Sequence, residues 1–354
     1  MENEQASWKK RSRRSPRDAP PSASAVRPGG HSEAFDDLIE LVASFNEHQL
    51  ALARTTPFAV FSEWTNKIRF DLNFSKWLVT HVDFIDRCIL TGREFNIPVD
   101  ARCATRIIGL PSSGVDIISG DISQREAGRL TVREFLGIKV NDAPSMTAAK
   151  NVLLRHREKP DSDDDIIFKA AFVVYVMAFL TGSYEVDGSQ DDQFWHAVDG
   201  STPIDSFNWG AYLVNSFVQL CSKSATSIKS GISKLPPPGC NLFFQALYFD
   251  SIVCPSVGKP RSTVPTILIY NQDRIARMIM ADTKGLEGIP PKRVFGGGKL
   301  VKNETGGKKP AHPAIQHKQV RTRNIVLEEA HTEADVSEAV SVQACFKFSV
   351  YVEF

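Results

Sequence analysis

The sequence predicts a mainly α-helical single domain of about eight to ten helices with one or two short strands, flanked by disordered basic arms. Three observations lead there. Between His31 and Thr283, apolar residues recur mostly at i, i+3 and i+4, the spacing of one helix face. One apolar stretch, IIFKAAFVVYVMAFLTG, is long enough for a buried helix and too short to span a bilayer, which needs about 20 residues. Charge is segregated. The whole chain of 354 residues carries +1, but residues 1–31 carry +4, residues 284–324 carry +8 and residues 325–354 carry −5, which leaves the body at −6. The two basic stretches are rich in Pro, Gly and Ser, and bury too little apolar surface to offset their ordering entropy. The expected organisation is a disordered arm (1–31), a helical body (32–283), a disordered basic linker (284–324) and an acidic tail (325–354).

The elements follow in order. SEAFDDLIELVASFNEHQLALAR sets Phe35, Leu38, Ile39, Val42 and Phe45 on one face, with Ser32 as N-cap. Pro57 interrupts it, and PFAVFSEWTNKIRF follows as a shorter amphipathic piece. FSKWLVTHVDFIDRCIL repeats the helical spacing through Phe74, Trp77, Leu78, Val82, Ile85 and Ile89. EFNIP alternates as a short strand or an extended rim, and a brief helix after it ends at Gly109 and Pro111, with a turn at 112–114. Thr131 and Glu134 have capping-box spacing, and Ser145 caps a helix through Leu153 and Leu154. Acids at 163–165 suit the start of the apolar helix 166–180. Phe194 and Trp195 form an aromatic segment inside the polar loop 183–203. A long amphipathic helix from Trp209 turns Tyr212, Leu213, Phe217 and Leu220 inward. The turn 236–239 then precedes the apolar CNLFFQALYFDSIV, and DRIARMIMAD closes the body.

The chemistry-bearing motifs are sparse. FGGGKLVK (295–302) lacks the GxxxxGK[ST] order of a phosphate loop, and no GxGxxG or HExxH occurs. The eight histidines are isolated, and six scattered cysteines form no CxxC, so neither a metal, a cofactor nor a disulfide framework is expected. Cys240 follows Gly239 and opens an apolar helix, which suits a packed small residue better than a nucleophile beside His196. The strongest signal is KKRSRRSPR, where Lys9, Lys10, Arg11, Arg13, Arg14 and Arg17 offer dense positive charge. It suits docking on a nuclear import receptor or non-specific contact with nucleic-acid phosphates. Localisation in the nucleus follows from that reading, since the first residues lack the apolar core of a secretory signal.

Residues 57–255 resemble the helical module of transposon-derived plant proteins that includes the plant mobile domain. The likeness lies in Phe95, Ile97, Ile107, Ile108, Gly109, Leu110, Pro111 and Gly114, which match a short strand, a helix and a (I/L)GLPxxG turn. GCNLFFQALYFDSI, with Gly239 and Cys240, is similar to a second stretch of that family. The resemblance implies a non-catalytic, nuclear, protein-interaction module of transposon origin with unknown protein partners and no membrane contact. In grasses such modules are often fused to a SUMO-specific-type cysteine protease, a domain for which this chain has no room. Two other readings stay open: a chromatin or nucleic-acid-associated protein binding through its basic arms, and a truncated relative of that protease.

Overall fold

The computed structural model describes residues 30–300 apart from 92–95, 120, 140–145, 156–161, 183–192, 255–256, 258–264, 286–292 and 298. All of them belong to one unit, Met1–Lys302; residues 303–354 lie outside the described residues. The architecture is mainly α, as the apolar spacing predicts.

Two helices are buried over most of their length and form the centre. α7 (Ser162–Thr181) is buried without interruption from Ala170 to Leu180, and its first turn carries Asp163, Asp164 and Asp165, where carboxylates face the helix dipole favourably. α9 (Pro238–Ser251) is buried from Pro238 to Phe249. Over these stretches no face is left for solvent, so both are enclosed by other helices. α1 (Gly30–Ala43), α2 (Glu47–Arg54), α5 (Ile122–Leu136), α6 (Met146–Leu153) and α8 (Trp209–Lys229) pack on α7. α3 (Leu72–Thr80), α4 (Ala101–Ile108) and α8 pack on α9. α10 (Gln272–Asp282) closes the body.

α7 and α9 touch at Gly239, where an added Cβ would lie 2.7 Å from the Leu180 Cα. Only a glycine permits this approach. On the other side of α9, Ser75 of α3 receives hydrogen bonds from Asn241 Nδ2 (3.1 Å) and Gln245 Nε2 (3.0 Å). All three residues are buried, so the network fixes the register of α3 on α9.

Several local expectations give way to longer-range packing. α1 begins at Gly30, which puts Ser32 inside the first turn. The long first helix breaks at Asn46, whose side chain accepts from Gln49 N while Gln49 Oε1 accepts from Asn46 N, a capping box that starts α2. PFAVFSEWTNKIRF forms one 3-10 turn (Ala59–Ser62) and then runs on without helix or strand, yet Phe61 and Trp64 are still buried. The helix expected to reach Ile89 stops at Thr80. A hairpin of β1 (Val82–Asp83) and β2 (Cys88–Ile89) replaces it, and β3 (Ile97–Pro98) completes a three-stranded antiparallel sheet. Asp83 accepts from the backbone of Ile85 and Asp86, and Arg87 turns with φ +47°, so Ile85 points to solvent at 93% exposure. Thr131 and Glu134 cap nothing, because α5 already starts at Ile122. Ser145 lies outside the described residues.

The basic stretch 284–324 was expected outside the fold, and its first part is a correction. β5 (Lys284–Gly285) pairs with β6 (Arg293–Val294), and β7 (Lys299–Leu300) pairs with β4 (Ile252–Val253). Phe295 sits 5.3 Å from Phe74 and 5.8 Å from Trp77 between ring centroids. The fully buried Asp282 explains the attachment: its carboxylate accepts from Tyr248 Oη (3.0 Å) and Gly296 N (2.7 Å), and its carbonyl accepts from Gly297 N (2.8 Å). A buried carboxylate requires donors; the strap supplies one of them through Gly296 N and adds Gly297 N to the backbone carbonyl of the same residue. One aromatic anchor inside a glycine- and lysine-rich run outweighs the composition around it.

Two substitutions test these contacts. Gly239→Ala should lower stability by about 1–3 kcal/mol through overpacking, read as a lower urea midpoint with an unchanged slope. Phe295→Ala should cost about 1–2 kcal/mol for a half-buried ring; no change in midpoint would place the strap outside the cooperative fold.

Candidate functional site

The GLPxxG turn is a seat for α8. α4 ends at Gly109, which takes φ +91°, a conformation open to glycine and strained for other residues. Thr105 Oγ1 donates to the Leu110 carbonyl (2.7 Å), and Leu110 is fully buried. The Pro111 carbonyl accepts from Gly210 N (2.8 Å) at the start of α8. Gly114 (φ +117°) passes so close to the Ser206 carbonyl that a Cβ would lie 2.2 Å from its oxygen. Val115 N donates to the Ser206 carbonyl, and Asn208 N donates to the Val115 carbonyl. Asn208 then caps α8 by accepting from Ala211 N (2.9 Å). Gly109, Leu110, Pro111 and Gly114 therefore act as structure, as do Gly239 and Cys240. The strand residue Phe95 and the basic residues Lys9, Lys10, Arg11, Arg13, Arg14 and Arg17 lie outside the described residues.

Cys240 Sγ lies 3.9 Å from Cys221 Sγ and 3.8 Å from the Phe217 carbonyl, in a site with no solvent access. Burial pushes its thiol well up, and the neighbouring Cys221 adds to the shift. Burial likewise raises Cys88 and Cys254, and takes Cys103 to about 11. Thiols held protonated in this way are poor nucleophiles. Among the described residues no three His, Cys, Asp or Glu side chains form a group able to hold a metal ion, and no helix is long and apolar enough to cross a membrane.

Two concavities among the described residues are notable. The smaller lies where α2 meets the start of α7. There His48 Nε2 is 2.9 Å from Asp165 Oδ1, and Gln49 Nε2 is already committed to the Leu153 carbonyl. Its polar groups mostly serve each other.

The larger cleft runs along α8. Its floor is Met177 of α7, Phe194 and Tyr212, all buried. Its long wall is one row of α8, in which Asn215, Gln219 and Lys223 follow at intervals of four residues. Asn215 Oδ1 accepts from Arg87 Nη2, which brings a second cation to that end. The hydroxyls of Thr181 and Ser216 turn back to carbonyls of their own helices. Gln219 and Lys223 are exposed and have no side-chain partner among the described residues. Ile118 stands on the opposite rim at 44% exposure, and the same segment leaves Val115 (53%) and Ile122 (74%) exposed. No carboxylate lines the cleft among the described residues. Sequence reading placed Tyr212 inward and did not single out the polar row. The one available signal was three long polar side chains at i, i+4 and i+8 on a helix whose other faces are apolar.

Behind the cleft, His196 is seated on Gly128 of α5, where a Cβ would lie 2.5 Å from the His196 Cα. Burial is the largest influence lowering its pKa below 6.5; Arg125 of α5 acts the same way, while Asp199 and the carbonyls of Gln193 and Ile117 oppose it. Because the folded pKa is depressed, the stability this neutral ring contributes is present above about pH 6.5 and is lost as pH falls through the folded value. Thermal midpoints should therefore fall more steeply between pH 7 and pH 5.5 for the parent chain than for His196→Gln. Parallel pH profiles would remove His196 as the cause.

The family model described as a domain of unknown function, DUF8566, matches residues 34–245. That match covers α2 to α8 whole, most of α1 and the first half of α9, and so includes the α8 wall of the cleft. No curated protein and no solved structure matches the chain.

Proposed function

The chain belongs to the DUF8566 family, a domain of unknown function, and from that premise and the geometry of the cleft we propose that it is a non-catalytic protein-interaction module. The supporting observation is the α8 cleft. It joins a buried aromatic and thioether floor to the Asn215 amide, held by Arg87, and to the Gln219 amide, which has no side-chain partner among the described residues, beside exposed Val115, Ile118 and Ile122. Interaction surfaces commonly combine an apolar base with a few convergent polar groups. The raised thiols speak against the cysteine-protease alternative at the described positions.

The basic residues from Lys9 to Arg17 complete the proposal as an address read by a nuclear import receptor, with activity in the nucleus. The likeness of the GLPxxG and GCNLFF stretches to plant-mobile-domain modules belongs to the same reading and carries the proposed transposon origin. Phosphate binding through the basic arms is the competing function, and it differs in its salt dependence.

Tagged full-length protein and a variant with Lys9, Lys10, Arg11, Arg13, Arg14 and Arg17 changed to Ser separate the two in nuclease-treated nuclear extract. A defined set of protein partners retained by both forms is the expected result. Partners that vanish with nuclease, or with the six substitutions, would replace the module by a phosphate-binding protein.

A further inference from the structure

We infer that the α8 cleft holds an extended, glutamate- or aspartate-bearing peptide, with its main chain read by Asn215 and Gln219 and its carboxylate by Lys223. This deepens the interaction-module reading and rests on it.

The spacing of the wall is the first reason. Four residues of α-helix advance by about 6 Å, and two residues of extended chain advance by about 6.6 Å. A row at Asn215, Gln219 and Lys223 therefore presents one polar group to every second residue of a strand laid along α8. Side-chain amides carry both a donor and an acceptor, so they match the paired N–H and C=O that such a strand turns to one side. Asn215 Oδ1 is engaged by Arg87, which leaves its amide donors for the ligand and fixes its orientation. Gln219 is exposed and has no side-chain partner among the described residues.

Charge is the second reason. Lys223 lines the cleft at one end and forms no ion pair among the described residues, and the guanidinium of Arg87 stands at Asn215, with Asp83 and Asp86 on its own hairpin. An anionic group laid at the Lys223 end meets a favourable charge, whereas a basic one meets a like charge. The floor is the third reason. Met177, Phe194 and Tyr212 offer an apolar base to the alternate side chains that turn inward, and Met adapts to varied shapes. A nucleotide would need stacking platforms, and the cleft's two rings are both buried in its floor; the peptide is favoured.

The test uses the full-length chain and fluorescein-labelled octapeptide pools, randomised except at two alternate positions fixed as glutamate, glutamine or lysine. The glutamate pool should bind saturably by anisotropy, with the other pools about tenfold weaker or more. Lys223→Glu and Gln219→Leu should each lose about tenfold, while Lys223→Arg keeps binding. Both positions are exposed, and unchanged thermal midpoints would confirm that the variants fold. Absence of binding by the glutamate pool, or equal binding by Lys223→Glu, overturns the inference. So does binding of a single-stranded oligonucleotide that is lost with the same two substitutions. If the nuclear-extract partners survive in Lys223→Glu, the interaction-module reading stands and this cleft is the wrong site; if no partners exist at all, the reading itself fails.

Discussion

The contact between α7 and α9 at Gly239 sets the rest of the structure. α9 is buried from Pro238 to Phe249 and α7 from Ala170 to Leu180, so these stretches cannot sit at a surface. Their mutual approach is closer than any side chain at position 239 allows, and the Leu180 backbone fills the space a Cβ would take. Once the pair is in place, each of the other helices has an apolar surface to cover. α3 is held on α9 by the Ser75, Asn241 and Gln245 network, and α8 is placed by the turn at Gly109 to Gly114. Such interiors are packed as tightly as organic crystals, so a change at one crossing is felt at the others.

The cleft is a consequence of this enclosure. α8 has one face against α4, α7 and α9 and must leave another to solvent. The long polar residues at 215, 219 and 223 occupy that outer edge, where it overhangs Met177 and Phe194. A helix with shorter polar residues there would leave a shallow step with no hydrogen-bonding wall. The seat made by Pro111 and Gly210 matters to the cleft for the same reason. It fixes the start of α8, and therefore the position of every side chain along it. Gly109, Pro111 and Gly114 thus support the cleft from outside its lining.

The strap from β6 to β7 shows how composition can mislead over a short range. Gly and Lys dominate residues 293–302, which favours disorder. Phe295 and the buried carboxylate of Asp282 reverse that preference because each gains a partner it lacks in the unfolded chain. Only residues distant in sequence, Phe74, Trp77 and Tyr248, supply the other half of the contact. The same logic explains Gly128. It reads as a weak point in a helix, and α5 passes straight through it because His196 packs where a side chain would be.

The apolar periodicity alone determined the helical class, the buried α7 and α9, the inward faces of α1 and α8 and the end of α4 at Gly109. These depend on 3.6-residue spacing and on glycine's access to positive φ, which are local properties. Tertiary structure decided the hairpin at Val82 to Ile89, where the spacing fits a helix. Pairing with Ile97 and Pro98, and the turn at Asp83, outweigh a propensity worth only fractions of a kcal/mol per residue. It also decided the cleft. Asn215, Gln219 and Lys223 are an ordinary polar stripe in the sequence, and they become a wall only when α7 and the Phe194 segment are set against them. That juxtaposition depends on contacts between residues far apart in the chain, which no local pattern encodes.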